Sequence, residues 1–290
     1  CLPKFSQSAE PTETYTMFSP LAANRPNGLR ISAHLSVLFA AGFAALACLT
    51  GAAQADTFRI VYDARALGIG IGSIESKITI DETSYSIFGQ VRTVGLAAVF
   101  AKFRGDVLAE GVVTRKGNLV PIRNRSDQTR RDERQKVNFT YKRGNIVSAK
   151  LDPPRETNSE RVPITDAHLK QARDPAVALI VTVPKGQQDD MKAVCNQTLR
   201  IFDANERYDL KLSYKLAGGH RPSGFRGPVA TCRVRYIPVS GHGRNSKDTA
   251  RYANNRTMEV SLARIGDTNA FITSELALKT RFGRVSVKAR

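Results

Sequence analysis

Six cations fall within one short stretch of this chain: Arg123, Arg125, Arg130, Arg131, Arg134 and Lys136. Guanidinium forks match the two oxygens of a carboxylate or phosphate, so the stretch is a candidate anion-binding site. Asp127, Asp132 and Glu133 interleave with it, and a solvated hairpin face is the simpler reading. Cys195 and Cys232 are the second constellation. An isolated pair in an oxidising compartment implies a disulfide. A zinc site joining them to His220 and His242 is the rival, but it lacks the short ligand spacings that organise such sites. His168 stands near Asp166 and Asp174, which suggests a base and its orienter, yet no nucleophile-elbow serine accompanies it. The acidic pairs Asp189-Asp190 and Asp132-Glu133 have no visible partner to split their pKa values. Gly68-Ile69-Gly70-Ile71-Gly72 has the wrong spacing for a dinucleotide loop, and strand-type sequence follows where a helix should open, so a bulge or tight bend is expected. These readings assign no catalytic residue, no metal and no cofactor.

The elements that must position these groups are mostly strands. Leu210, Leu212, Tyr214 and Leu216 alternate with polar residues, as do Cys232, Val234 and Tyr236, then Met258, Val260 and Leu262, then Leu276, Leu278, Thr280 and Phe282. Each run buries one face and wets the other. Turn chemistry separates them: Lys116-Gly117-Asn118, Arg143-Gly144-Asn145, Ala204-Asn205 and Gly266-Asp267. One region differs. Asp152-Pro153-Pro154 ends a strand; Thr165 or Asp166 caps a short helix through Arg173; Asp174-Pro175 opens an apolar helix over Ala176–Val181. The predicted fold class is mainly β: a strongly curved antiparallel sheet or open half-barrel, with a short buried helical segment at about 165–182 on its concave side. Gly218–Pro228 and Ser240–Ala250 are expected to be mobile loops.

Residues 17–55 read as an export signal. Arg25 and Arg30 form the basic part, His34–Thr50 the apolar part, and Ala53-Gln54-Ala55 a cleavage site before Asp56. The apolar run is short for a membrane span. Residues 1–16 are taken as an extension upstream of Met17, and 56–290 as a single β-rich domain. A lipoprotein reading through Cys48 is the minor alternative. The whole chain carries a formal charge of +18; removal of 1–55, which holds three cations and two carboxylates, leaves +17. That balance favours anionic partners, and export disfavours nucleic acid among them. The expected location is the periplasm.

Val61-Tyr62-Asp63-Ala64, Leu67 to Gly72, Tyr85 and Val94-Gly95-Leu96 come in an order that resembles the opening of a bacterial family, domain of unknown function 3108. Pro153-Pro154, Asp174-Pro175-Ala176, Cys195, Arg200-Ile201-Phe202-Asp203, Arg207-Tyr208-Asp209-Leu210 and Cys232 to Tyr236 continue it. The resemblance implies an exported, mostly β envelope protein and supplies no activity or site residues. The function expected is therefore a non-catalytic binding or assembly module for a lipidic or anionic envelope component. An envelope lipid, an anionic polymer and an envelope protein are the partner classes. An envelope hydrolase or transferase using His168, His220 or His242 is the alternative, a purely structural scaffold another, and an outer-membrane barrel the least favoured.

Overall fold

The computed structural model describes residues 55–290 except 96, 101, 155–158 and 281–282, and not the side chains of 99 and 100. The upstream extension, the signal through residue 54 and Cys48 lie outside the described residues. Strand β1 (Asp56–Ala66) begins at the expected cleavage point. There follow β2 (Ile69–Ile80), β3 (Ser84–Thr93), the single turn α1 (Ala97–Phe100), β4 (Phe103–Val113), β5 (Leu119–Arg130), β6 (Glu133–Lys142) and β7 (Asn145–Asp152). A mixed segment holds α2 (Asp166–Leu169), α3 (Pro175–Ala178), β8 (Ile180–Thr182) and α4 (Met191–Cys195). The chain then returns to strands in β9 (Thr198–Phe202), β10 (Arg207–Ala217) and β11 (Val229–Ser240). It ends with α5 (Lys247–Asn254), β12 (Glu259–Arg264), β13 (Ala270–Thr280) and β14 (Gly283–Ala289).

All the strands join one antiparallel sheet in the order β7-β6-β5-β4-β3-β2-β1-β14-β13-β12-β11-β10-β9, with β8 added against β13. Neighbours in sequence are neighbours in space, except that β8 leaves β7 and β9 for β13 and that the last strand pairs with the first, Tyr62 opposite Ala289 through Ala66 opposite Val285. Two meanders are thus joined through the chain's first and last strands. The outer edges, β7 and β9, do not pair with each other, so the sheet is open rather than a closed barrel. Among the described residues no helix is long and apolar enough to cross a membrane.

Hairpin turns fall where the sequence placed them. Arg143 and Gly144 have φ of 52° and 76°, the left-handed pair that a two-residue turn needs. Leu67 and Gly68, at 53° and 82°, do the same between β1 and β2. The glycine run downstream lies in β2, and the register shifts where Ala64 faces Gly72 but Arg65 faces Gly70. That shift is the expected bulge.

The apolar faces converge on three clusters. In the largest, Ile60, Ile78 and Ile87 of the first meander meet Val177, Ile180 and Ile272. A wedge of space makes this possible. Strand β14 covers only the second half of β1, and Ala270–Ile272 of β13 pair with β8 instead of β14. The α3–β8 segment fills the wedge with Val177 and Ile180 fully buried, so the inner surface here is occupied by the chain's own side chains. The second cluster gathers Val194 and Cys195 of α4 with Leu212, Val234 and Phe271. Its Cys195 and Cys232 form a disulfide, with Cα atoms 5.4 Å apart; the zinc alternative therefore lapses.

Two local expectations are corrected. The helix expected over Ala176–Val181 stops at Ala178, because Ile180–Thr182 gain more by extending along the open edge of β13. The preceding helix stops at Leu169, not Arg173, since Arg173 is drawn into an extended bridge to Ile201. Nor are the two loops free segments. Within Gly218–Pro228, the His220 ring Nε2 donates to the Ala289 carbonyl at 2.5 Å, Ser223 N donates to Arg290 O, and Phe225 packs on Phe58. Ser246 caps α5 within the other.

Candidate anion-binding sites

Register places the sequence-predicted cations. Arg123 and Arg125 lie on the outer face of β5, opposite Thr140 and Asn138; Arg134 and Lys136 lie on β6, opposite Thr129 and Asp127. Arg130 ends β5 opposite Glu133, and Arg131 forms the turn with Asp132, at φ 56°. All six are exposed. The sheet brings two of them to carboxylates. Arg123 Nε donates to Glu110 at 2.5 Å, and Arg134 Nε to Asp127 Oδ1 at 2.8 Å. Those hydrogen bonds hold Glu110 and Asp127 below the usual carboxylate range. Among the described residues no ion pair engages Arg125, Arg130, Arg131 or Lys136. At the turn, Arg131 and Arg134 join Lys102 and Arg104 around Asp132 in a notch of about 270 Å³. On the outer face beside it, Arg92, Arg104 and Arg134 share a groove of about 440 Å³ with Glu75, Asp106 and Asp127. Both sites are of mixed sign.

A groove that the sequence did not suggest is purely cationic. It measures about 450 Å³, and its charged residues are Arg143, Arg173 and Arg200. Gln171 and Gln197 add neutral amides, and residues 119–121 add an apolar wall. Among the described residues no carboxylate lines it. Its geometry follows from the opening of the sheet. The strap 171–174 spans from the β6–β7 turn, where Gln171 N donates to Asn145 Oδ1 at 3.0 Å, to β9, where Arg173 N donates to Arg200 O at 2.8 Å. Phe202 N returns a bond to Arg173 O at 2.9 Å. Beneath the strap, Phe139 meets Phe202 edge-on with ring centroids 5.9 Å apart. Arg200 Nη1 donates to Gln171 Oε1 at 3.1 Å, which fixes one guanidinium along the groove. Arginine keeps its charge in such a setting, and the apolar wall strengthens its attraction for an anion. No short motif announces these residues, because they come from four separated segments.

The strap is anchored by Asp174. Its carboxylate caps α3, accepting from Ala176 N at 3.0 Å and Val177 N at 3.1 Å. It also accepts from Asn124 Nδ2 at 2.8 Å and Tyr141 OH at 3.0 Å, while Asp174 N donates to that same hydroxyl. The residue is fully buried. Burial pushes its carboxyl above the ordinary value, opposed by these hydrogen bonds. Burial, with Asp174 nearby, likewise raises the Tyr141 and Tyr85 hydroxyls. The cap was legible in the sequence; its conversion into a buried polar node was not.

The remaining candidates are dispersed. His168 turns back on its own helix, where its Nδ1 accepts from Thr165 N at 3.1 Å. His220 binds the Ala289 carbonyl, and the carbonyl of His242 accepts from Val162 N. Asp190 caps α4 through Lys192 N and Ala193 N, while Asp189 meets Arg264 at 3.4 Å. Asp56, at the expected cleavage point, is the exposed first residue of β1, directly after the exposed Ala55.

Residues 57–287 match a family model described as "Protein of unknown function (DUF3108)". Comparison with curated proteins gave no match. Among solved structures, the chain is similar to a β-barrel-like protein of domain of unknown function DUF1849 from Brucella abortus. That match has 13% identity and a TM-score of 0.42, and it covers 80% of this chain and 94% of the other.

Proposed function

For this chain, which belongs to the DUF3108 family, we propose an exported, non-catalytic binding module that takes an anionic group of an envelope component into the groove under the 171–174 strap. The observation that carries the reading is the lining: three guanidiniums, two amides, an apolar wall and, among the described residues, no carboxylate. Guanidinium clusters recognise phosphate and carboxylate in a planar, two-point manner. The wall of residues 119–121 suits a ligand whose anionic head continues into an apolar body. The export-type sequence over 17–55 supports the compartment, and so does the disulfide, which persists where the surroundings are oxidising.

Calorimetric titration with pyrophosphate tests the proposal. The wild type is expected to bind, and added salt to weaken binding as it screens the exposed part of the site. Replacing Arg143 and Arg200 together by Ala is expected to lower affinity at least about a hundredfold, since charge-assisted hydrogen bonds contribute ~1.5–3 kcal/mol each. Both side chains are exposed, so Tm should hold. Equal affinity in the double variant contradicts the site.

A further inference from the structure

The groove under the strap opens beside the β4–β5 and β6–β7 turns. The opposite end of the same meander, where the β1–β2, β3–β4 and β5–β6 turns gather, has a different character. At its tip Leu67 and Ile69 are the two most exposed large apolar side chains described, at 67% and 61%. They flank Gly68 in a turn that forces Leu67 to φ 53°, a conformation that suits Asn or Gly and is costly for Leu. One side of Leu67 lies against Gly283 and its N–H donates to Arg284 O at 3.0 Å, but most of the side chain stands in water, and an exposed apolar residue at a strained turn points to a contact outside the fold. The neighbouring connection is tied to this tip: Val94 N donates to Ile71 O at 3.1 Å, and Ala97 and Ala98 are half-buried in α1. Around this tip stand cations. Arg65 of β1, two residues before Leu67, is exposed. The notch of Lys102, Arg104, Arg131 and Arg134 around Asp132 opens at the β5–β6 turn, about 14 Å from β2 at the usual strand spacing. Among the described residues Lys102, Arg104 and Arg131 have no ion pair.

Protruding aliphatic side chains that share one end of the sheet with unpaired lysine and arginine match a bilayer surface rich in anionic lipid. The aliphatic groups enter the acyl boundary while the cations meet phosphate headgroups. We propose that this end docks on an anionic membrane surface, with Leu67 and Ile69 as the inserting residues and the notch as the headgroup contact. The alternating turns then hold the groove of Arg143, Arg173 and Arg200 at the end facing away from the lipid. This inference does not depend on the groove's ligand.

Co-sedimentation with phosphatidylcholine vesicles, with and without phosphatidylglycerol, tests it. The wild type is expected to bind only the anionic vesicles. The pair Leu67→Asn with Ile69→Thr should weaken that binding about tenfold or more by removing the apolar contact. Its Tm should stay close to the wild type's, because Asn suits the left-handed turn and Thr the strand, which offsets the lost contact of Leu67 with Gly283. Lys102→Ala with Arg131→Ala should weaken binding to the anionic vesicles as well. Pyrophosphate titration of the Leu67/Ile69 pair should be unchanged, which separates the two surfaces. Failure of the wild type to bind anionic vesicles, as expected if the tip seats on a protein instead, overturns the proposal. So does binding that the Leu67/Ile69 pair leaves intact.

Discussion

Asp174→Ala is expected to destabilise the protein by ~3–5 kcal/mol, more than any exposed change. The substitution removes the acceptor for two helix N–H groups, a loss of about 1–2 kcal/mol at an N-cap. It also leaves Asn124 Nδ2 and the Tyr141 hydroxyl buried without the carboxylate they serve, at roughly 1–3 kcal/mol each, partly offset because a desolvated carboxylate disappears. Urea unfolding measures the sum; a loss below about 1 kcal/mol contradicts the node's role. Asp174→Asn separates geometry from charge. Its Oδ1 can still accept from Ala176 N and Val177 N, so it should cost less than the Ala variant. It should also change the pH profile. The folded state raises the Asp174 pKa from its ordinary 3.8, so it holds the proton more tightly than the unfolded chain. That contribution to stability is fully present below the ordinary value and is lost as pH rises through the folded pKa. Stability of the Asn variant relative to wild type should therefore increase across that rise and then level off. A constant difference would mean that Asp174 titrates alike in both states.

Loss of the disulfide is the second large effect. Cys195 and Cys232 lie 37 residues apart in sequence and are fully buried. In the chain-entropy model, freeing such a loop costs ~3–4 kcal/mol, or about 10 °C in Tm for a domain of this size. The Cys195→Ala, Cys232→Ala pair should show that drop in a non-reducing buffer, and reductant should reproduce it in the wild type once it gains access. The bond ties α4 to β11, so hydrogen exchange should quicken first in 191–195. An unchanged Tm in the double variant would show that packing around Val194 and Phe271 alone holds this corner.

Much of the fold was legible because antiparallel strands encode one face at a time. Period-2 runs such as Leu210–Tyr214 and the Gly- and Asn-bearing turns carry their instructions locally, and the sheet obeys them; the same run fails at its end, where a register shift after Tyr214 leaves Leu216 exposed. Pairing of the first strand with the last was not legible, since neither Tyr62 nor Ala289 signals a partner more than two hundred residues away. The end of α3 at Ala178 was hidden for the same reason: Ile180–Thr182 is apolar enough for helix or strand, and the open edge of β13 decides it. The site follows this pattern. Arg123 to Lys136 stood out because it is contiguous, yet pairing across the sheet gives Arg123 and Arg134 to Glu110 and Asp127. Arg143, Arg173 and Arg200 are unremarkable in sequence and become a cationic groove only when the strap bridges the open sheet.

A backbone amide NMR titration with pyrophosphate reports where the anion sits. Shifts are expected to concentrate at 143–144, 171–173 and 197–200, with Arg143 and Arg200 variants removing them. Shifts confined to 102–104 and 129–134, or none at the strap, would contradict that placement.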